Sequence, residues 1–200
     1  MKNLFLALGA LATSFVTSGA VADEPGTANG EWHHYTGDIK GSRYTPLDQI
    51  NADNFEDLEM VWNFSTKNLG TRGEYKLEVT PIMVDGVIYA TAGTRRTAIA
   101  LDAGTGELMW LHSMREGLRG GMAPRQLSGR GLSYWSDGKG DDRIYYVTTG
   151  YRLIALNAHT GVPINSFGTD GNGILDLKIG AVQGNEVQID LVTGEIGLHA

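Results

Sequence analysis

Two side chains in this sequence, Glu78 and Arg130, carry groups that could contact a ligand, although residue type alone reads each as an ordinary surface charge. Glu78 directly precedes Val79-Thr80-Pro81 and a β-branched run. A carboxylate at a strand entrance can accept a hydrogen bond from an arginine or a ring N–H, although most such glutamates are solvated surface charges. Arg130 stands between Gly129 and Gly131. Its guanidinium fork suits a carboxylate, and flanking glycines let backbone approach a flat group. The five histidines carry less. His33-His34 point to opposite faces of a strand, and His112, His159 and His199 lack the i, i+4 spacing of a helical metal site. Asp137-Gly138-Lys139-Gly140-Asp141-Asp142 lacks the alternating ligands and closing glutamate of a calcium loop, so it reads as a solvated hairpin.

Composition removes whole classes of chemistry. The chain has no cysteine, which excludes a disulfide framework, a thiolate zinc site, an iron–sulfur cluster and a C-x-x-C-H haem attachment within it. Its net charge of −7 argues against sequence-independent nucleic-acid binding, which needs a basic face. No G-x-S-x-G elbow, P-loop or G-x-G-x-x-G occurs, so hydrolase, NTPase and dinucleotide-fold readings have no local support.

The elements that would position these residues are strands. Glycine is 28 of 200 residues, about twice its usual share near 7%, and indicates many tight turns. Asp85–Gly106 and Asp142–Gly161 resemble each other, offset by 57 residues at Asp85 and Asp142 and by 55 at Asp102 and Asn157. Each copy reads as a β-branched, aromatic strand ending at glycine, then a short strand ending in Asp/Asn-Ala-x-Thr-Gly. Asp102 or Asn157 can fold its side chain onto backbone N–H groups two residues on. Gly106 or Gly161 can take the positive φ of a tight hairpin. A repeat near 55 residues suits a four-stranded blade with one long loop, and blades must stack to bury both faces. No helical apolar stripe is present beyond one turn within Asp53–Met60. Glu116–Asp142, rich in glycine, reads as a long loop that is either functional or mobile.

Met1–Ala22 has the layout of a secretory leader: Lys2, an apolar run over Leu4–Val16, and Ala20-Val21-Ala22 before Asp23. The expected protein is exported, to a bacterial periplasm. No later run is long and apolar enough to span a membrane.

Ala100-Leu101-Asp102-Ala103-Gly104-Thr105-Gly106-Glu107-Leu108-Met109-Trp110 fits the pattern A-x-D-x-x-x-G-x-x-x-W. That pattern resembles the tryptophan-docking motif of quinoprotein alcohol and sugar dehydrogenases, which use pyrroloquinoline quinone (PQQ). The opening segment, Trp32–Asn51 with Leu58 and Trp62, together with Glu78-Val79-Thr80-Pro81-Ile82 and Gly129–Trp135, resembles the same family in the same order, so the likeness covers Glu31–Ala200. It implies an all-β, eight-bladed β-propeller of four-stranded blades, of which residues 23–200 would hold about the first three. It implies Glu78 and Arg130 as PQQ-binding residues, and Trp110, Asp102 and Gly106 as structural docking residues. It further implies oxidation of a C–OH group, with calcium as Lewis acid, an aspartate as general base and hydride passing to the quinone. In the family the metal ligands and that aspartate lie in later blades, so the catalytic residues are expected beyond Ala200, in a longer gene. The expected partners are an alcohol, polyol or sugar and a cytochrome or ubiquinone acceptor.

Two departures qualify the likeness. Asn165 stands where a second docking tryptophan would be, with Phe167 nearby as a substitute. Pro124-Arg125 replaces the vicinal cysteines of methanol-oxidising members, which points to the glucose- or polyol-oxidising branch. The competing expectation is a non-catalytic propeller that scaffolds outer-membrane assembly. Glu78, Arg130 and the Trp32–Asn51 segment argue against it, because a scaffold needs no ligand-facing ion pair.

Overall fold

The computed structural model describes residues 26–71, 74, 76–123, 131–177, 186–189 and 196–199. The leader Met1–Ala22, Pro124-Arg125 and Arg130 lie outside the described residues.

Two antiparallel four-stranded sheets follow one another along the chain, each in the order of its sequence. The first contains β1 (Ile82–Val84), β2 (Val87–Ala92), β3 (Thr97–Asp102) and β4 (Leu108–His112). The second contains β5 (Leu132–Ser136), β6 (Asp142–Val147), β7 (Arg152–Asn157) and β8 (Ile174–Asp176). A separate hairpin pairs β9 (Glu186–Ile189) with β10 (Ile196–His199), matching Ile189 to Ile196. A short helix, α1 (Gly117–Gly121), follows β4. One 3-10 turn spans Phe55–Asp57, within the stretch expected to hold a single helical turn.

Part of the expected long loop is a strand. Leu132-Ser133-Tyr134-Trp135-Ser136 pairs with β6 along its whole length, from Leu132 opposite Tyr146 to Ser136 opposite Asp142. Its signal is hidden in sequence by flanking glycines and two serines.

The two meanders are blades, and their side chains show why. In β2 and β3, residues alternate between the two faces, as a pleated strand requires. Tyr89, Ala98 and Ala100 turn to the second sheet and join Trp110, Leu132, Ile144, Tyr146, Ile154 and Leu156 in one core. Ala90, Ala92, Ile99 and Leu101 turn the other way, to Trp62, Phe64 and Leu69. Both faces of the first blade are therefore covered, which accounts for its nearly continuous apolar run. The opening segment also guards its edge: Trp32 and Met83 exchange both backbone hydrogen bonds, at 2.9 and 3.0 Å.

The turn between the last two strands of each blade does double duty. Asp102 Oδ1 accepts from the N–H groups of Gly104 and Thr105 at 3.0 and 2.8 Å. Asn157 Oδ1 accepts from His159 and Thr160 in the same way. Gly161, with φ of 68°, closes the second turn. A Cβ there would lie 2.7 Å from the indole of Trp110. Gly161→Ala therefore meets a backbone penalty of about 1–2 kcal/mol and a clash with a ring that is 9% exposed. We expect a clear drop in the melting midpoint. Gly138 has a similar φ of 69° but open space around it, so Gly138→Ala should show the backbone penalty alone. Equal shifts for the two variants would contradict the contact.

Candidate functional site

Tryptophan docking joins the blades. Trp110 leaves β4, and its Nε1 donates to the carbonyl of Ala158 at 2.8 Å, in the turn of the second blade. Its ring also tilts against Tyr89, with centroids 5.9 Å apart. Trp62 makes the equivalent contact one step earlier. Its Nε1 donates to Ala103 at 3.0 Å, and its indole sits 2.5 Å from where Gly106 would carry a Cβ. Sequence reasoning placed Trp62 only in the opening segment. No regular strand surrounds it, so no strand pattern marks it. At the Asn165 position no tryptophan is available, and Phe167 packs edge-on to Tyr145 of its own blade, with centroids 5.5 Å apart.

Strand direction decides which end of the blades carries the candidate ligand residues. Ile82 pairs with Tyr89, so the chain entering β1 from Glu78 lies at the same end as the β2–β3 turn, Gly93–Arg96. Leu132 pairs with Tyr146, so the chain entering β5 lies at the end of the β6–β7 turn. Arg96 ties the two ends together: its Nη1 donates to the carbonyls of Thr148 at 3.1 Å and Val147 at 3.5 Å. One face of the pair thus gathers Glu78, both of these turns, and the connection from β4 to β5.

On this face Glu78 is exposed, and its ion-pair partner is Lys76, also exposed, at 3.3 Å. Its carboxylate remains available to a ligand donor. A Cβ at Gly131 would meet no atom of the described residues within 4 Å. Arg130 itself lies outside the described residues, so its distance from Glu78 is not part of the geometry. What the described residues offer a flat, N–H-bearing group is the exposed Glu78 carboxylate as an acceptor and the Gly131 backbone.

A carboxylate with four hydrogen-bond donors at this face is one that sequence reasoning missed. Glu116 sits just before α1, and its side chain is only 2% exposed. Its oxygens accept from Thr148 Oγ1 at 2.7 Å, Thr149 Oγ1 at 3.0 Å, Gly150 N at 2.6 Å and Arg152 Nη1 at 2.9 Å. Next to it, Arg119 grips Asp176 with both Nη atoms at 2.6 Å and donates from Nε to Gly150. The Asp176 carboxylate holds the Arg119 guanidinium above its ordinary value. These partners come from residues 31 to 57 positions away, so no local spacing reveals them. The network anchors α1 to the second blade, at the start of the connection that leads to Arg130.

His112, His159 and the Asp137–Asp142 acids have ordinary roles. His112 Nδ1 lies 2.7 Å from the Tyr146 hydroxyl, and burial holds the ring below its usual value, hence neutral near pH 7. His159 Nε2 lies 2.9 Å from Asp142. The Ser136 hydroxyl and then His159 hold Asp142 below the usual carboxylate range. In the Asp137–Asp142 stretch, Asp137 Oδ1 accepts from Lys139 and Asp141, which makes a hairpin turn. Among the described residues no three His, Cys, Asp or Glu side chains gather as metal ligands, and no helix is long and apolar enough to cross a membrane.

Comparison with known proteins agrees with this architecture. Residues 32–193 match the family described as "Glucose/ethanol/alcohol dehydrogenase, beta-propeller domain". The chain is 36% identical over 173 residues to the dehydrogenase subunit of the quinone alcohol dehydrogenase of Gluconobacter oxydans (strain 621H), covering 80% of this chain and 21% of that protein. It is 29% identical over 180 residues to the quinoprotein glucose dehydrogenase of the same organism, covering 82% of this chain and 22% of that one. The crystal structure of the quinohemoprotein alcohol dehydrogenase from Comamonas testosteroni superposes with a TM-score of 0.54 at 33% identity, over 68% of this chain and 19% of that chain. The chain thus spans about a fifth of the length of these relatives.

Proposed function

Because the chain belongs to this family of PQQ-dependent dehydrogenase β-propellers, we propose that it is part of an enzyme oxidising an alcohol, polyol or sugar at a C–OH carbon. The cofactors are PQQ and calcium, and electrons leave to a cytochrome or ubiquinone. PQQ, when bound, supplies the electron-pair acceptor that no side chain of this chain provides.

The observation that carries this reading is the shared end of the two blades. Glu78 and the approach to β5 both lie there, at the face where strands and turns leave backbone and side chains open to a ligand. In the proposed site Glu78 accepts a hydrogen bond from the cofactor's ring N–H. Arg130 pairs its guanidinium fork with a cofactor carboxylate, a charge-assisted contact stronger than a neutral one. Gly131 leaves room for a flat ring. Trp62 and Trp110 do not touch the chemistry; they hold the blades at the spacing this face needs. Calcium ligands and the proton-accepting aspartate are not assigned to this chain. Export by the Met1–Ala22 leader would place the enzyme in the periplasm.

The test is dye reduction by the full-length protein supplied with PQQ and calcium, with glucose, glycerol and ethanol as donors. We expect reduction that depends on PQQ. No reduction together with no PQQ binding would support the scaffold reading. Within an active protein, Arg130→Ala should weaken PQQ retention at least about tenfold, the loss of one charge-assisted contact. Glu78→Gln, which keeps an acceptor oxygen, should weaken it less. Unchanged affinity in Arg130→Ala would remove that residue from the site.

A further inference from the structure

The same end of the blades carries an open cleft of about 530 Å³, within the size range of small-molecule sites. Arg95 from the β2–β3 turn and Arg115 from the connection after β4 both line it, with Thr71, Thr94 and Thr149. Glu116 also borders the cleft, but its charge faces Arg152 and its oxygens are engaged by the Thr148 and Thr149 hydroxyls and Gly150 N–H. Arg95 and Arg115, by contrast, have no acidic partner among the described residues. Thr94 Oγ1 is buried in the same wall with no hydrogen-bond partner. In a chain of net charge −7, two guanidinium groups with no acidic partner among the described residues thus line one concavity. Neutral alcohols gain little from such a wall. A carboxylate gains two fork-shaped donors.

We propose that this cleft is an anion subsite that takes the carboxylate of a hydroxy acid or sugar acid, so that the substrate class extends to alcohols bearing a carboxylate. Its use in substrate choice rests on the dehydrogenase reading above; its capacity to bind an anion does not. Arg95 and Arg115 hold the acid group, and the Thr149 side of the cleft meets the hydroxyl-bearing chain. The contact is electrostatic at a solvent-open site, so it weakens with added salt.

The experiment is calorimetric titration of the full-length protein with gluconate, in the wild type and in the double variant Arg95→Gln, Arg115→Gln. Wild type should bind gluconate saturably, and the double variant at least about tenfold more weakly, since each lost charge-assisted contact is of that order. No saturable binding in the wild type, or equal binding by both proteins, overturns the proposal. PQQ affinity is measured in parallel and should be the same in both. A parallel fall would assign the cleft to the cofactor and also overturn the proposal. If the protein binds gluconate through these arginines yet never reduces dye with any donor, the dehydrogenase reading fails while the anion site stands.

Discussion

Trp110→Ala is expected to lower the unfolding free energy by about 3–5 kcal/mol, the range for truncating a large buried aromatic. The indole fills the space between the blades beside Tyr89 and lies over Gly161. Its N–H is the donor to the buried Ala158 carbonyl. Trp110→Phe keeps most of the apolar contact and loses that donor, so it should cost roughly 1–3 kcal/mol. Denaturant titration of the full-length protein reads both. A loss under about 1 kcal/mol for Trp110→Ala would mean that the blades are held together without this contact.

Glu116→Ala is the second large effect. Removing one member of a buried, hydrogen-bonded ion pair costs about 3–5 kcal/mol, because the partners left behind stay desolvated. Here those partners are Arg152, two threonine hydroxyls and the Gly150 N–H. Arg152 is a quarter exposed and can recover some hydration, so the lower part of the range is expected. Glu116→Gln retains acceptor capacity and should fall between alanine and wild type. Because Glu116 anchors the connection leading to Arg130, its loss should also accelerate hydrogen exchange in α1. Lys76→Ala supplies the contrast: it breaks an exposed pair and should change stability by less than about 0.5 kcal/mol. Similar losses for Glu116→Ala and Lys76→Ala would deny Glu116 its anchoring role.

The blades were legible in the sequence because their information is local. A β-branched run, a turn with Asp102 or Asn157 at its start, and Gly106 or Gly161 at its end are all read within twenty residues. The two-fold occurrence of that pattern makes it a repeat. What stayed hidden depends on distance along the chain. Trp62 reaches Ala103 from a segment with no strand pattern, and its exposed neighbours Met60 and Val61 resemble neither core nor turn. Glu116 meets partners 32 to 36 residues later, so in sequence it is an ordinary acid in a polar loop. β5 was obscured by composition, since serine and flanking glycine dilute its alternation. The site was only half legible for a different reason. Glu78 and Arg130 came from family likeness, not from spacing, and the described geometry bears on Glu78 and Gly131 alone.

In the proposed enzyme, PQQ sits on the face carrying Glu78. This placement is tested most directly by titrating the full-length protein with PQQ in the presence of calcium and following retained cofactor by its absorbance. Saturable binding at one PQQ per protein is expected, weakened by Arg130→Ala and unaffected by the Arg95→Gln, Arg115→Gln pair. Absence of saturable binding in the folded protein would contradict this placement.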